Sequence, residues 1–215
     1  MNIKSIKHEL QNILSGKSGS SYDATIQAIT RHLRTSQRTS PVAEEKHQNK
    51  AKEKEKLISF ATQNNLFLDS ILPQNYISEG AEQKVYMKDA QSVIKLNDAI
   101  YYASWEDYFH NLLLHNYFFT DTAYHFLGFY ILDNDLFAVV RQNFIKADCL
   151  TNLDQVKVFL KANGFFNTKN NDYFQPELGV ILEDLHDENV LTNKGILYFI
   201  DTVFYVKPEI FWQQS

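Results

Sequence analysis

An acidic and an amide side chain stand five residues apart in the segment 182–191, at Asp184 and Asn189. A second carboxylate, Asp201, follows twelve residues after Asn189, directly behind the apolar run 197–200. Mg²⁺ prefers oxygen ligands, and a carboxylate placed beside a hydroxyl group can orient it or accept its proton. Asp and Asn are also common in solvated turns, so residue type alone leaves both interpretations open.

A lysine and a carboxylate stand upstream of these residues. Lys95 ends the apolar run 92–95, and Glu106 falls in the first turn of the helix-like segment 104–119. A lysine at the end of an apolar strand is commonly a snorkelling surface residue. An acidic first turn also simply stabilises a helix through its dipole. A chemical role for either residue therefore depends on its surroundings.

The elements that must position these residues begin near residue 66. Aromatic and β-branched runs predict strands over 83–87, 92–96, 124–132, 136–142 and 197–200, with one helix between the second and third strands. The early strands are joined by hairpin-length links, which predicts an α+β domain rather than a parallel doubly wound sheet. We also expect a helix over 153–162 and a hairpin through 166–174.

The first 65 residues have a different texture. Apolar spacings of three and four residues predict an amphipathic helix over 2–15. We expect a second helix over 22–37 and a long polar helix, rich in Lys and Glu, over about 43–64, with breaks at 16–21 and 39–41. Their apolar stripes are thin, so we expect docking or partner-binding elements rather than a core. We therefore divide the chain into a helical N-terminal extension, 1–65, and a compact domain, 66–215.

Composition and charge bound the function classes. The chain has 215 residues, 44% of them apolar, which suffices for a sizeable core. Residues 1–56 hold 11 Lys and Arg against 6 Asp and Glu, while the rest holds 10 against 20. The acidic remainder argues against a nucleic-acid groove there, and the basic helices could form a solvated face or contact a protein partner. A single cysteine and the lack of a bilayer-length apolar run predict a cytoplasmic protein without a membrane segment.

The spacing of Asp184 and Asn189 resembles the Asp-x-x-x-x-Asn catalytic loop of protein kinases and aminoglycoside phosphotransferases. Asp201 stands where a kinase carries the metal ligand of its Asp-Phe-Gly motif, and 92–95 resembles Val-Ala-Ile-Lys. The amino-acid sequence of about 75–206, including 97–100 and 113–116, is similar to the polyvalent protein kinase domain of bacterial mobile elements and phages.

That resemblance implies a role for each site residue. Asp184 would be catalytic, Asn189 and Asp201 would bind Mg²⁺, and Lys95 would grip the phosphates of ATP while pairing with Glu106, or with Asp107 as the fallback. The segment 78–86 resembles the nucleotide-covering hairpin, and 137–144 resembles the strand that enters the interlobe hinge. In addition to Lys95, the resemblance implies five nucleotide contacts in these segments: Gly80, Ala81, Val85, Gln142 and Phe144.

The resemblance further implies a two-lobed, protein-kinase-like fold, with an N-lobe over about 75–142 and a reduced C-lobe over about 148–215. The implied activity is Mg²⁺-dependent transfer of the γ-phosphoryl group of ATP to a hydroxyl of a protein Ser or Thr, or of a small molecule. Two alternatives stay open. They are a nucleotide-binding pseudokinase module and a kinase fold that transfers AMP.

Three departures from the kinase pattern shape these expectations. Leu182 and Glu183 replace the usual His-Arg before the catalytic Asp, and Thr-Val replaces Phe-Gly after Asp201. Fourteen residues of this sequence follow Asp201, which predicts a C-lobe without an activation segment. His186, two residues after Asp184, resembles the aminoglycoside phosphotransferase loop. His110 and His115 have no nearby Cys or third ligand, which argues against zinc.

Overall fold

The structure is a computed structural model that describes residues 2–17, 24–37, 46–71, 75–79 and 83–213. Six α-helices are described, α1 to α6 in chain order: Ile3–Leu14, Ala24–Gln37, Lys46–Gln63, Trp105–Phe118, Leu153–Ala162 and Pro208–Phe211. Strands β1 to β5 are Tyr76–Glu79, Gln83–Asp89, Ser92–Asn97, His125–Leu132 and Asp135–Asn143. Strands β6 to β11 are Phe166–Asn167, Tyr173–Gln175, Val180–Glu183, Val190–Asn193, Ile196–Phe199 and Val203–Val206. The mixture confirms the α+β class.

The larger sheet is antiparallel and has the strand order β1-β2-β3-β5-β4. Strand β3 lies at its centre, because β2 and β5 pair with it on either side. Lys95 is therefore flanked by Val85 on β2 and Val140 on β5. A central strand between two apolar partners keeps this lysine away from solvent at the middle of the sheet.

Two smaller groups of strands carry the polar loops. Strand β8 pairs with β7 and with β11, while β9 and β10 form a separate hairpin. The turn of that hairpin places Lys194 and Gly195 at φ values of 49° and 76°, the left-handed region of a tight hairpin turn. Glu183 pairs with Val203. This register brings the loop after β8, which begins at Asp184, next to the loop that contains Asp201.

Helix α4 begins at a reciprocal cap. The Ser104 hydroxyl accepts from the backbone N–H of Asp107 and donates to the carboxylate of the same residue. Ten residues of this helix are buried, and they lie on all of its faces. Such a helix must be covered on every side. The sheet, β11 and the N-terminal helices provide that cover.

Helices α1 to α3 pack into the same core as α4 and the sheets. A single hydrophobic cluster contains residues from all of these elements, among them Leu10, Leu14, Ile29, Leu33 and Leu57, each fully buried. Polar contacts add to the packing, because Glu53 on α3 accepts a hydrogen bond of 2.7 Å from the backbone N–H of Trp105. The apolar stripes of α1 to α3 are therefore covered by the rest of the chain.

The expected elements of the C-terminal part are confirmed. Helix α5 spans Leu153–Ala162, and Phe166 pairs with Phe174 in a short hairpin. The N-terminal helices are also confirmed, with ends that differ from expectation by at most three residues where they are described. The expected break at 39–41 lies outside the described residues. Among the described helices, none is long and apolar enough to cross a membrane.

Candidate active site

Lys95 points inward from the central strand. It is 5% exposed, and its Nζ donates a hydrogen bond of 2.9 Å to the carbonyl oxygen of Ile200. The same Nζ lies 3.8 Å from Asp201 Oδ2. Burial lowers the pKa of Lys95, and the nearby charge of Asp201 opposes that shift. Lys95 is thus a buried amine that faces a carboxylate rather than a snorkelling surface residue.

Asp201 connects the larger sheet to the polar loops. Its Oδ2 accepts a hydrogen bond from the Gln83 side chain at the start of β2, in addition to facing Lys95. Its Oδ1 has no hydrogen bond among the described residues. Asp201 is therefore held by one oxygen and offers the other to a ligand.

The loop after β8 is organised around Asn189. The Nδ2 group of Asn189 donates to the backbone oxygen of Asp184 at 2.8 Å and to its carboxylate Oδ2 at 2.9 Å. His186 lies beside both residues, with Nε2 3.5 Å from Asp184 Oδ1 and 3.0 Å from Asn189 Nδ2. Asp184 has a φ of 65°, which is unusual for a residue with a side chain and often marks a functional site. The loop thus presents this carboxylate in a fixed orientation.

The carboxylate of Asp184 is half exposed, at 52% of its side chain. Partial burial raises its pKa, and the negative charges of Asp201 and Asp172 act in the same direction. The imidazole of His186 and the hydrogen bond from Asn189 oppose the increase. A raised pKa makes this carboxylate a better proton acceptor than an ordinary surface aspartate.

Asn189 also joins the two polar loops. Its backbone oxygen accepts from the N–H of Ile200 at 2.9 Å and from the N–H of Asp201 at 3.3 Å. Asp184, Asn189, Asp201 and Lys95 therefore form one chain of direct contacts. The structure thus brings together four of the site residues that were predicted from the sequence.

The structure does not bring Glu106 to Lys95. The Oε1 atom of Glu106 lies 3.3 Å from Arg34 Nε on α2 and 3.5 Å from His110 Nε2. The physical reason is helix phase, because Glu106 and His110 lie on one face of α4 and the site lies on another. The fallback Asp107 is engaged in the cap with Ser104. The predicted pairing of Lys95 with Glu106 is therefore wrong.

The face of α4 turned toward Lys95 and Asp201 carries other side chains. Tyr108, Asn111 and Leu112 line a small cavity beside Asp201, together with Gln83, Asn97 and Tyr124. Asn111 is fixed there because its Oδ1 accepts from the backbone N–H of Phe204 at 2.8 Å. Sequence reasoning missed these residues, since no spacing identifies which face of an apolar helix meets a distant loop.

The residues expected to contact the nucleotide differ in how the structure places them. Val85 is half-buried opposite Lys95. Gln142 is turned inward, and its side chain donates to the Thr122 carbonyl at 2.7 Å. The N–H of Phe144 already donates to Gln91 at 2.8 Å, so this N–H is not free for an adenine edge. Gly80 and Ala81 lie outside the described residues.

The donor set fits Mg²⁺ better than a transition metal. Among the described residues, no three His, Cys, Asp or Glu side chains form a preformed metal cluster. The oxygens that remain open are Asp201 Oδ1 and Asn189 Oδ1, neither of which has a hydrogen bond within the described part of the chain. One carboxylate and one amide suit an ion that takes its other ligands from phosphate and water, as Mg²⁺ does.

Comparison with known proteins identifies the family of the chain. A family model described as a serine/threonine/tyrosine kinase found in polyvalent proteins matches residues 50–208. No curated protein and no solved structure matches the chain significantly. The matched range covers most of the sequence and includes Lys95, Asp184, Asn189 and Asp201. The chain belongs to the family of serine/threonine/tyrosine kinases found in polyvalent proteins.

Proposed function

We propose that this protein transfers the γ-phosphoryl group of ATP to a hydroxyl group, with Mg²⁺ as cofactor. The observation that carries the proposal is the convergence of Lys95, Asp201, Asn189 and Asp184 through direct contacts. Phosphoryl transfer needs little covalent chemistry from a protein and depends on positioning and charge stabilisation. Four groups held by one continuous network meet that requirement.

The proposal assigns a two-lobed, kinase-like architecture to the chain. The five-stranded sheet and α4 would form the N-lobe, and the strands from β6 onward, with α5, would form a reduced C-lobe. ATP would lie between them, with its phosphates near Lys95 and its adenine toward the segment after β5. Because the N–H of Phe144 is engaged with Gln91, hydrogen bonds to adenine would come from the segment that follows it.

Each residue has a distinct task in this proposal. Bound Mg²⁺ would supply charge neutralisation on the phosphate oxygens. Asp201 and Asn189 would hold the ion through their open oxygens, and Lys95 would move from Asp201 toward the phosphates. Asp184 would orient the acceptor hydroxyl and take its proton. Its exposure and raised pKa suit a group that meets an incoming acceptor.

One observation favours the pseudokinase alternative. Within the described part of the chain, no helix carboxylate contacts Lys95, and the Gln83 side chain donates to the carboxylate that would ligate the metal. A chain arranged in this way could bind nucleotide without turnover. Only an activity measurement separates this alternative from the main proposal.

Parallel incubations with γ-labelled and α-labelled ATP test the function. The main proposal expects Mg²⁺-dependent transfer of γ-label to the chain, an added hydroxyl acceptor or water, and none of the α-label. Transfer of α-label would instead indicate AMP transfer. Nucleotide binding without either transfer would leave the pseudokinase interpretation. The Asp184→Asn variant serves as the matched control in every arm.

A further inference from the structure

Lys95 needs a partner that the expected helix glutamate does not provide. A buried amine is costly unless its surroundings stabilise the charge. The described contacts of its Nζ are the Ile200 carbonyl, the Asp201 carboxylate at 3.8 Å and the face of the Tyr124 ring. Under the proposed function, Lys95 moves from Asp201 toward the phosphates, which leaves the other two contacts to position it.

We propose that Tyr124 is the positioning residue for Lys95, in the role that a helix carboxylate was expected to have. The inference rests on the proposed function. Tyr124 would act through two features, its hydroxyl group and its ring. The hydroxyl group fixes the carbonyl that Lys95 contacts, and the ring faces the ammonium group.

The hydroxyl group of Tyr124 donates to the Ile200 carbonyl oxygen at 2.9 Å, the same acceptor that Lys95 uses. A carbonyl oxygen has two lone pairs, and these two donors occupy both of them. Burial raises the pKa of Tyr124, and the charge of Asp201 adds to the increase, so the hydroxyl remains a donor. The shared acceptor is thereby held in a fixed place for the amine.

The ring of Tyr124 makes the second contact. Lys95 Nζ lies 5.5 Å from the ring centroid, within the range of a cation–π interaction. Such an interaction is strongest where water is excluded, and both residues are buried. It stabilises the charged form of Lys95 without adding a second anion that would compete with phosphate.

Helix α4 fixes Tyr124 in turn. The side chain of Asn116 accepts from the backbone N–H of Tyr124 at 2.6 Å and donates to its carbonyl at 2.8 Å. The ring of His115 packs on the Tyr124 ring, with centroids 4.4 Å apart. The helix therefore reaches Lys95 through a tyrosine rather than through Glu106.

The test measures the affinity of the full chain for Mg·ATP by calorimetry. Tyr124→Phe removes the hydroxyl and keeps the ring, and we expect about 2- to 10-fold weaker binding. Tyr124→Leu removes both contacts, and we expect about 10- to 100-fold weaker binding. Tyr117→Phe is the matched control, because it removes a hydroxyl that contacts Glu9 at 3.2 Å, away from Lys95.

A double-mutant cycle separates positioning from general stability. In a Lys95→Met background, adding Tyr124→Phe should change affinity by less than about 2-fold, because residues that act through each other are not additive. The same loss in both backgrounds, or no loss in either, would overturn the role of Tyr124. Failure of the wild-type chain to bind Mg·ATP would overturn the proposed function as well. These outcomes are therefore distinguishable, and the Phe variant suffices if the Leu variant does not fold.

Discussion

Asn189 holds Asp184 with its side chain, through a hydrogen bond of 2.9 Å from Nδ2 to the carboxylate Oδ2. The backbone carbonyl of the same asparagine accepts from the N–H groups of Ile200 and Asp201. One residue therefore sets the distance between the two carboxylates that we assign to the acceptor and to the metal. The predictions that follow depend on this arrangement.

Asp184→Asn should abolish most turnover and leave nucleotide binding nearly intact. An amide of the same shape can still accept the hydrogen bond from Asn189, but it cannot take a proton. We expect turnover to fall by about 10²-fold or more, the scale of general-base catalysis. Steady-state assays measure the fall. Asp187→Asn, at an exposed carboxylate of the same loop, is the control, and equal turnover in both variants would remove Asp184 from the mechanism.

Glu106→Gln should weaken folding and leave Mg·ATP affinity unchanged within about 2-fold. The carboxylate pairs with Arg34 and lies 3.5 Å from the neutral ring of His110, so its loss should lower the free energy of unfolding by about 1–3 kcal/mol. Urea unfolding and calorimetry measure the two effects. Lys95→Met is the counterpart that should lose affinity. A large loss of affinity in Glu106→Gln would restore the pairing that the sequence suggested.

The sequence could identify four residues of the site for a physical reason. Asp184, Asn189 and Asp201 stand at or just beyond strand ends, where spacing along the chain fixes their proximity, and Lys95 lies within the apolar strand β3. Glu106 could not be placed in the same way. Helix α4 is buried on all faces, so its apolar pattern does not show which side meets Lys95.

Contacts between distant segments were also beyond the sequence. Gln83 meets Asp201, and Tyr124 meets Ile200, through tertiary packing that no local pattern encodes. The helices α1 to α3 were expected from the sequence, yet an apolar stripe does not identify the surface that it packs against. The structure shows that their stripes face the common core.

Leu33→Ala tests whether α2 belongs to that core. Leu33 is fully buried, and truncating such a side chain costs about 2–5 kcal/mol of unfolding free energy. Leu150→Ala is the control, because Leu150 is 88% exposed and should change stability little. Denaturant unfolding measures the loss of unfolding free energy in both variants. If Leu33→Ala costs no more than the control, α2 is a separate appendage.

Acidification should destabilise the protein through its buried histidines. Burial is the main cause that lowers the pKa of His115 to about 3 and that of His110 to about 4. An unfolded histidine binds a proton near pH 6.5, so the unfolded state gains protons first as pH falls. The contribution of these histidines to the free energy of unfolding is therefore fully present above about pH 6.5. Below that pH it declines by about 1.4 kcal/mol per pH unit for each histidine.

The variant His115→Gln should reduce the pH dependence of the unfolding free energy by the contribution of one histidine. Neutral His115 accepts from Thr202 and donates to the Thr122 carbonyl, and a glutamine amide offers both functions without titrating. Unfolding free energies between pH 7 and pH 5 give the slope. His125→Gln, at an exposed histidine, controls for the loss of an imidazole as such. An equal loss of slope in both variants would contradict the assignment to burial.

The most direct test of the account is the Mg²⁺ dependence of ATP binding at Asp201. Calorimetric titrations with and without Mg²⁺ should show that the ion tightens ATP binding to the wild-type chain. Asp201→Ala should remove that difference, because the carboxylate is the principal protein ligand that we assign to the ion. Asp187→Asn should retain it. The same Mg²⁺ dependence in wild type and Asp201→Ala, or no ATP binding by the wild-type chain, would contradict the account.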